Sequence, residues 1–255
     1  MARATTLILA TFLALAACSV SVAEEPEENI ETQISEKIKI VTAQNVIWDG
    51  PKGRKAAIDF LARHPEASAA PLLSALQQAP DARARLWVLL CMNYFADMSV
   101  FESGSGALVE LLGSDSFGTK FWAIKTAARM KLAAAIEPLE GLLASEDYLL
   151  REAAAGALGE IGRKESAEHL IKLLDDPEHM VRRAAAEALG QLKASAAKTQ
   201  LIESLDPEEN LVVRRAAVEA LEKITGTSFD IQPRDWSPAA GEREKKIKDW
   251  IRQHK

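Results

Sequence analysis

The chain is poor in the residues from which disulfide frameworks, metal centres and aromatic-lined pockets are built. It has two cysteines, Cys18 and Cys91, in 255 residues. No intramolecular disulfide is available once Cys18 is lipidated or cleaved away, so the fold must hold by burial alone. Aromatic residues make up 5%, which favours many small, close helix contacts over a few large pockets. The four histidines, His64, His169, His179 and His254, sit at unrelated positions, with no HExxH, paired CxxC or His-Glu doublet among them. Neither a metal nor any other cofactor is expected. GxSxG, P-loop and GxGxxG motifs are missing too; Gly104-Ser105-Gly106 lacks a following lysine and a preceding strand and reads as a loop. Catalysis has no visible home, so the chain is expected not to be an enzyme. A net basic face is also missing: the formal charge of -6 is spread over mixed-sign segments, which sets nucleic acid aside as a partner.

What remains is an ordinary globular balance, 48% hydrophobic with 27% charged, which excludes a disordered chain. Alanine and leucine dominate, and that composition points to an all-α protein.

The chain opens with Met1-Ala2-Arg3 and then runs uncharged from Thr5 to Ala17, the order of a secretory leader. Thirteen such residues are too few for a spanning helix, which needs roughly 20. The run ends in Leu15-Ala16-Ala17-Cys18, which resembles the bacterial lipobox cut just before a diacylated cysteine. On this reading residues 1–17 are a signal peptide, Cys18 is lipidated, and residues 18–29 form an acidic tether through Glu24-Glu25-Pro26-Glu27-Glu28. Ser19, rather than the aspartate that resembles an inner-membrane retention signal, favours the outer membrane in a cell that has one. The alternative is cleavage after Ala23, where Ser21-Val22-Ala23 offers small residues, releasing a soluble periplasmic or secreted protein.

Internal repetition is the strongest feature. Arg151-Glu152-Ala153-Ala154-Ala155-Gly156-Ala157-Leu158-Gly159 aligns with Arg182-Arg183-Ala184-Ala185-Ala186-Glu187-Ala188-Leu189-Gly190 and with Arg214-Arg215-Ala216-Ala217-Val218-Glu219-Ala220-Leu221, at separations of 31 and 32 residues. Leu108, Leu139, Leu170 and Leu201 give the 31-residue period independently. Weaker copies start at Lys120, Arg85 and Arg54, with separations of 31, 35 and 31 residues. About six helix pairs are expected between residues 53 and 226. In each, a first helix carries Ala and Leu along one stripe and a second carries doublets such as Leu111-Leu112 and Leu142-Leu143. Neither stripe can be buried alone, so the pairs must stack into an all-α solenoid. Turns fall at Asp175-Asp176-Pro177 and Asp206-Pro207-Glu208, with proline where the next helix starts, and Gly159-Glu160-Ile161-Gly162 ends a first helix with a left-handed glycine cap.

The stretch Met180 to Leu192, followed by the helix headed by Leu201 and an Asp-Pro turn, resembles a HEAT repeat of the phycobilisome-lyase-like, armadillo-type helical family. The likeness is specific from Phe117 to Gly226 and dilutes from Gly53 to Gly113. It implies a right-handed α-α superhelix whose first helices form the convex face and whose second helices form the concave, ligand-facing one. HEAT-like hydroxylases that bind iron carry repeated His-Glu pairs; only the reverse order occurs here, at Glu168-His169 and Glu178-His179. After Gly226 the pattern lapses through Pro233, Trp236 and Pro238 and resumes from Glu242 to Gln253, with Ile247, Trp250 and Ile251 on one face, so residues 227–255 read as a linker and capping helix. Residues 30–52 read as the opposite cap.

Two sets of polar residues stand out. Arg151, Arg182 and Arg214 admit a structural reading, pairing each with the aspartate of its own turn, Asp147, Asp176 or Asp206, and a functional one as a basic ladder for an acidic partner. The polar positions between the apolar doublets of the second helices, Glu110, Glu140, His169, Lys172, Gln200 and Glu203, are either partner contacts or a solvated face. The function expected is an exported, membrane-tethered scaffold whose second helices bind a protein or peptide. The alternative, which the family resemblance implies, is a lyase-like or chaperone-like protein handling a chromophore or client. A HEAT-like DNA glycosylase is disfavoured by the leader and the acidic balance.

Overall fold

The structure, a computed structural model, describes residues 29–43, 53–206, 209–229 and 249. The expected signal peptide, the lipobox at Cys18, the acidic tether and the helical face of Ile247, Trp250 and Ile251 lie outside them. Among the described residues the chain is all-helical and no strand occurs. Helix α1 spans Ile30–Thr42 and buries Ile34 and Val41 against the first helix pair, α2 (Arg54–Arg63) and α3 (Pro65–Gln78). The following first helices are α4 (Ala82–Met92), α6 (Phe117–Arg129), α8 (Tyr148–Ile161), α10 (His179–Gln191) and α12 (Leu211–Thr225). Their partners are α5 (Ser105–Leu112), α7 (Ile136–Leu142), α9 (Ala167–Lys172) and α11 (Lys198–Glu203). First helices pack side by side along one layer, each touching the next, while the short second helices line the other.

The 31-residue period extends to the backbone. Lys131, Gly162 and Lys193 each adopt a left-handed conformation, with φ of 49°, 84° and 52°. A 3₁₀ turn then follows at Ala133–Ala135, Lys164–Ser166 and Ser195–Ala197. After Lys131 and Lys193, the bonds from Leu132 N–H to the Ala127 carbonyl and from Ala194 N–H to the Leu189 carbonyl, each 3.0 Å, complete a cap in which the chain folds back onto the last helical turn. Gly162 supplies the cap expected of it. Pro177, by contrast, does not open α10: that helix begins two residues later at His179, because Asp176 first closes a turn by accepting from the Glu178 N–H at 2.9 Å.

The layer of first helices is held at glycine and alanine. A methyl group added at Gly159 would lie 2.7 Å from the Ala188 Cα, and one at Gly190 would lie 2.7 Å from the Ala220 Cα. These glycines lie inside their helices, where glycine costs roughly 0.5–1 kcal/mol relative to alanine. They are kept because the neighbouring backbone occupies the space of a side chain. Behind this layer Leu108, Leu139, Leu170 and Leu201 are all fully buried, each contributing roughly 1.5–3 kcal/mol by area.

At Arg151 and Arg182 the arginine ladder forms with partners different from those expected. Arg151 does not pair with Asp147 of its own turn. Its Nε and Nη2 donate to the two carboxylate oxygens of Asp176 in the next turn, at 2.8 and 2.9 Å, while Nη1 donates to the Ser145 carbonyl at 2.8 Å. Arg182 likewise takes Glu209 one turn ahead, at 2.9 and 2.7 Å, and the Asp176 backbone carbonyl of its own turn at 2.6 Å. The reason is reach. From the fourth position of its helix the guanidinium meets its own turn only at the main chain, and its planar fork points across to the neighbour. Asp147 is used instead as the N-cap of α8, accepting from Leu149 N–H at 2.9 Å. Arg54, aligned with this series in the sequence, opens α2 rather than occupying its fourth place. Its guanidinium turns back to the Val41 carbonyl at 3.0 Å and lies 4.2 Å from the Trp87 ring centre, tying α1 to the stack. A second tie joins α8 to α10, where Arg183 bonds Glu152 at 2.7 Å.

Burial pushes the Asp176 carboxyl up, but the Arg151 hydrogen bonds and the Glu178 N–H outweigh it, so the group is held below its ordinary value of 3.8. Glu209 is held below 4.5 in the same way, with burial opposed by Arg182 and the Asn210 N–H.

Three outcomes are expected. Replacing Lys193 by glycine relieves the left-handed strain at the cost of a looser unfolded chain and raises stability by about 0.5–1 kcal/mol in urea denaturation. Gly190→Ala presses a methyl onto the Ala220 backbone and lowers stability by about 1–3 kcal/mol. Because the folded pKa values of Asp176 and Glu209 are depressed, their contribution is complete above the ordinary carboxylate range and is lost as pH falls through the folded values. Asp176→Asn therefore lowers stability at neutral pH by about 1–3 kcal/mol and flattens the acid limb of a Tm-against-pH curve; an unchanged acid limb refutes the assignment.

Candidate functional site

The polar residues expected on the second helices fall into register columns set by the buried leucines. Two positions after each leucine stand Glu110, Gly141, Lys172 and Glu203, spaced by 31 residues and all exposed. One position before stand His169, exposed, and Gln200, half-buried. The Gln200 Oε1 is enclosed and accepts no hydrogen bond from the described residues. Glu140 belongs to a different column, shared with Ile171 and Ile202, and is half-buried. It accepts from the Ser166 hydroxyl at 2.8 Å and lies 3.5 Å from His169 Nδ1. The fold therefore brings Glu140 and His169 together across adjacent repeats and engages Glu140 internally. Glu110, Lys172 and Glu203 remain as an aligned, exposed set.

Other features were legible only in part. Phe117, Tyr148 and Leu211 are exposed and each opens a first helix, making a periodic apolar row beside the turns. An open, shallow cavity of about 510 Å³ lies on the surface near the junction of α4, α5 and α6, lined by Ala82, Arg85, Glu110, Ser114, Asp115 and Ser116 among others. Its residues surround the point where the repeat spacing lengthens to 35. That lengthened interval was the signal in the sequence that could have located it.

Among the described residues no group of three or more His, Cys, Asp or Glu side chains is placed to hold a metal. Cys91 is fully buried and burial pushes its thiol up to about 12, so it presents no thiolate near neutral pH. A lyase-like role that depends on this thiol finds no support in its position.

Comparison with known proteins agrees with this geometry. An engineered protein is 20% identical with a TM-score of 0.55, over 76% of this chain and 96% of that one. A designed armadillo repeat protein, solved in complex with the peptide (KR)4, is 20% identical with a TM-score of 0.54, over 75% of this chain and 99% of that one. Another structure, of computationally designed armadillo repeat proteins for modular peptide recognition, is 20% identical with a TM-score of 0.52, over 74% and 99%. At these identities the likeness is one of fold. No curated protein matches the chain. The family model for HEAT repeats matches twice, over residues 69–155 and 139–222. A chain built for most of its length from stacked helix pairs of this kind belongs to the HEAT-repeat family.

Proposed function

We propose that the protein is a non-catalytic adaptor, exported and held to a membrane through a lipidated Cys18, that binds a protein or peptide along its second helices. The observation that carries the binding reading is the exposed column of Glu110, Gly141, Lys172 and Glu203, repeated at 31-residue intervals on a frame of fully buried leucines. Such a column offers one contact per repeat to an extended chain. The shared fold with designed armadillo proteins, one solved with a bound peptide, supports the same use. The tether rests on the leader and its Leu15-Ala16-Ala17-Cys18 ending. Among the described residues no helix is long and apolar enough to cross a membrane, so attachment on this reading is by acyl chains.

Two experiments test the two halves. Intact mass of protein from the membrane fraction of a bacterial host should begin at Cys18 with acyl chains added, and Cys18→Ser should shift the protein to the soluble fraction. A mature form beginning at Glu24 would refute the anchor. Photo-crosslinking residues at Lys172 and Glu203 should trap one and the same partner in the cell envelope, while residues at Glu160 and Glu219 on the first helices should not. The reverse pattern would move the binding face to the first helices.

A further inference from the structure

The ladder has a position where a carboxylate is missing. Ser114, Ser145 and Asp176 are spaced by 31 residues and make the same turn bond: Ser114 Oγ accepts from Ser116 N–H at 3.3 Å, Ser145 Oγ from Asp147 N–H at 3.3 Å, and Asp176 Oδ1 from Glu178 N–H at 2.9 Å. They are one site in three successive turns. The cations at the matching place of the repeat, Arg85, Lys120 and Arg151, each hold the fourth position of a first helix; Arg151 meets Asp176 directly and Arg85 shares a cavity wall with Ser114. At the third rung a carboxylate meets the arginine and a two-toothed ion pair forms. At the first two a hydroxyl stands in its place.

Arg85 shows the consequence. Like Arg151 and Arg182 it donates to the carbonyl six residues before it, here Ala79, although at 3.4 Å. It makes no ion pair with any carboxylate among the described residues. The space opposite is the cavity of about 510 Å³ bounded by Ser114 and Ser116. Lys120, at the next rung, also makes no ion pair with a carboxylate among the described residues.

We infer that the Arg85 cavity is a receptor for a carboxylate carried by the bound peptide, which takes the place that Asp176 and Glu209 fill in later rungs. The ligand class is set by the protein's own sister sites: a planar carboxylate that takes two parallel bonds from a half-buried guanidinium. The two carboxylates at the cavity, Glu110 and Asp115, are both exposed. They leave the rim net acidic and disfavour a run of acidic residues, so the fitting peptide carries an isolated carboxylate with neutral or basic neighbours. Glu110 also heads the exposed column on the second helices, making the cavity continuous with the proposed binding face. The inference rests on the peptide-binding reading for its biological sense, while the site itself is tested independently.

The test follows the Arg85 Nε–Hε NMR signal, assigned by its loss in Arg85→Lys. Three probes are titrated: N-acetyl-glutamate α-amide, with only a side-chain carboxylate; N-acetyl-glutamine, with only a terminal one; and N-acetyl-glutamine α-amide, with neither. One or both carboxylates should move Arg85 saturably, identifying the source, while the neutral probe has no effect and Arg151 stays still. Ser114→Asp should supply the missing carboxylate in place, raise the Tm, and weaken the probe response by roughly tenfold. Arg85 responding no more than the exposed Arg83, or an undiminished response in Ser114→Asp, overturns the proposal. Trapping of a partner on the second helices with a silent Arg85 would sink this site alone. A responsive Arg85 without any trapped partner would sink the adaptor reading and leave a site for small carboxylates.

Discussion

The later first helices, α8, α10 and α12, meet one another through residues with almost no side chain, and the distance this allows governs the ladder built on them. At Gly159 and Gly190 the backbone of the following helix stands where a Cβ would be, 2.7 Å away. Contact between main chains replaces contact between side chains, and dense packing is recovered by shortening the separation of the axes. The shorter separation brings the turn of one repeat within reach of the arginine on the one before, so that Arg151 can hold both oxygens of Asp176 at 2.8 and 2.9 Å. The ladder follows from the packing: bulk at the glycines moves the turns apart before any charge is removed. Because stability in a solenoid is a sum over neighbouring interfaces, the effect of one such change stays at its own interface and is large there.

The period, the stack and the buried leucines were legible because each depends on residues close in sequence. Helical spacing in Ala184 to Leu189 and the 31-residue recurrence of Leu108, Leu139, Leu170 and Leu201 report local amphipathicity, and one face buried at that period leaves few folds open. The partner of Arg151 was not legible. Choosing Asp176 over Asp147 requires the direction of the guanidinium fork across the gap between helices, a property of the stacked layer. The left-handed lysines were hidden for a related reason: Lys131 and Lys193 carry no mark of their conformation, whereas Gly162, at the same point of its repeat, does. On the second helices the six candidates shared a polarity but not a column. Glu140 separates from Glu110, Lys172 and Glu203 only when the leucine register is projected onto a helix that packs against Ser166.

The two ends of the solenoid are built differently. From α6 onward the repeats recur every 31 or 32 residues and small residues fill the helix contacts. Around α4 and α5 the interval is 35 residues, an extra 3₁₀ segment runs from Ser99 to Gly104, and Phe95 meets Phe101 edge-on at 4.9 Å in the core. Aromatic bulk tolerates a wider, less regular contact than glycine against alanine. The cavity beside Arg85 accompanies that looser junction, and the ion pairs at Arg151 and Arg182 accompany the tight ones. Rigidity and open surface are thus assigned to different stretches of one repeated unit.

Serine in place of aspartate at the first rungs separates two tasks that one side chain performs at the third. Asp176 both closes its turn, through Glu178 N–H, and neutralises Arg151. Ser114 and Ser145 keep the first task, through bonds to Ser116 and Asp147 N–H, and abandon the second. The turn therefore retains its geometry while the cation opposite keeps its charge. Had the aspartate been replaced by leucine, the turn bond would have gone with the charge; had it been kept, Arg85 would have been consumed as Arg151 is. A hydroxyl is among the few side chains that preserve the repeat while leaving a half-buried guanidinium facing a cavity. That combination is expected where a carboxylate from outside completes the rung.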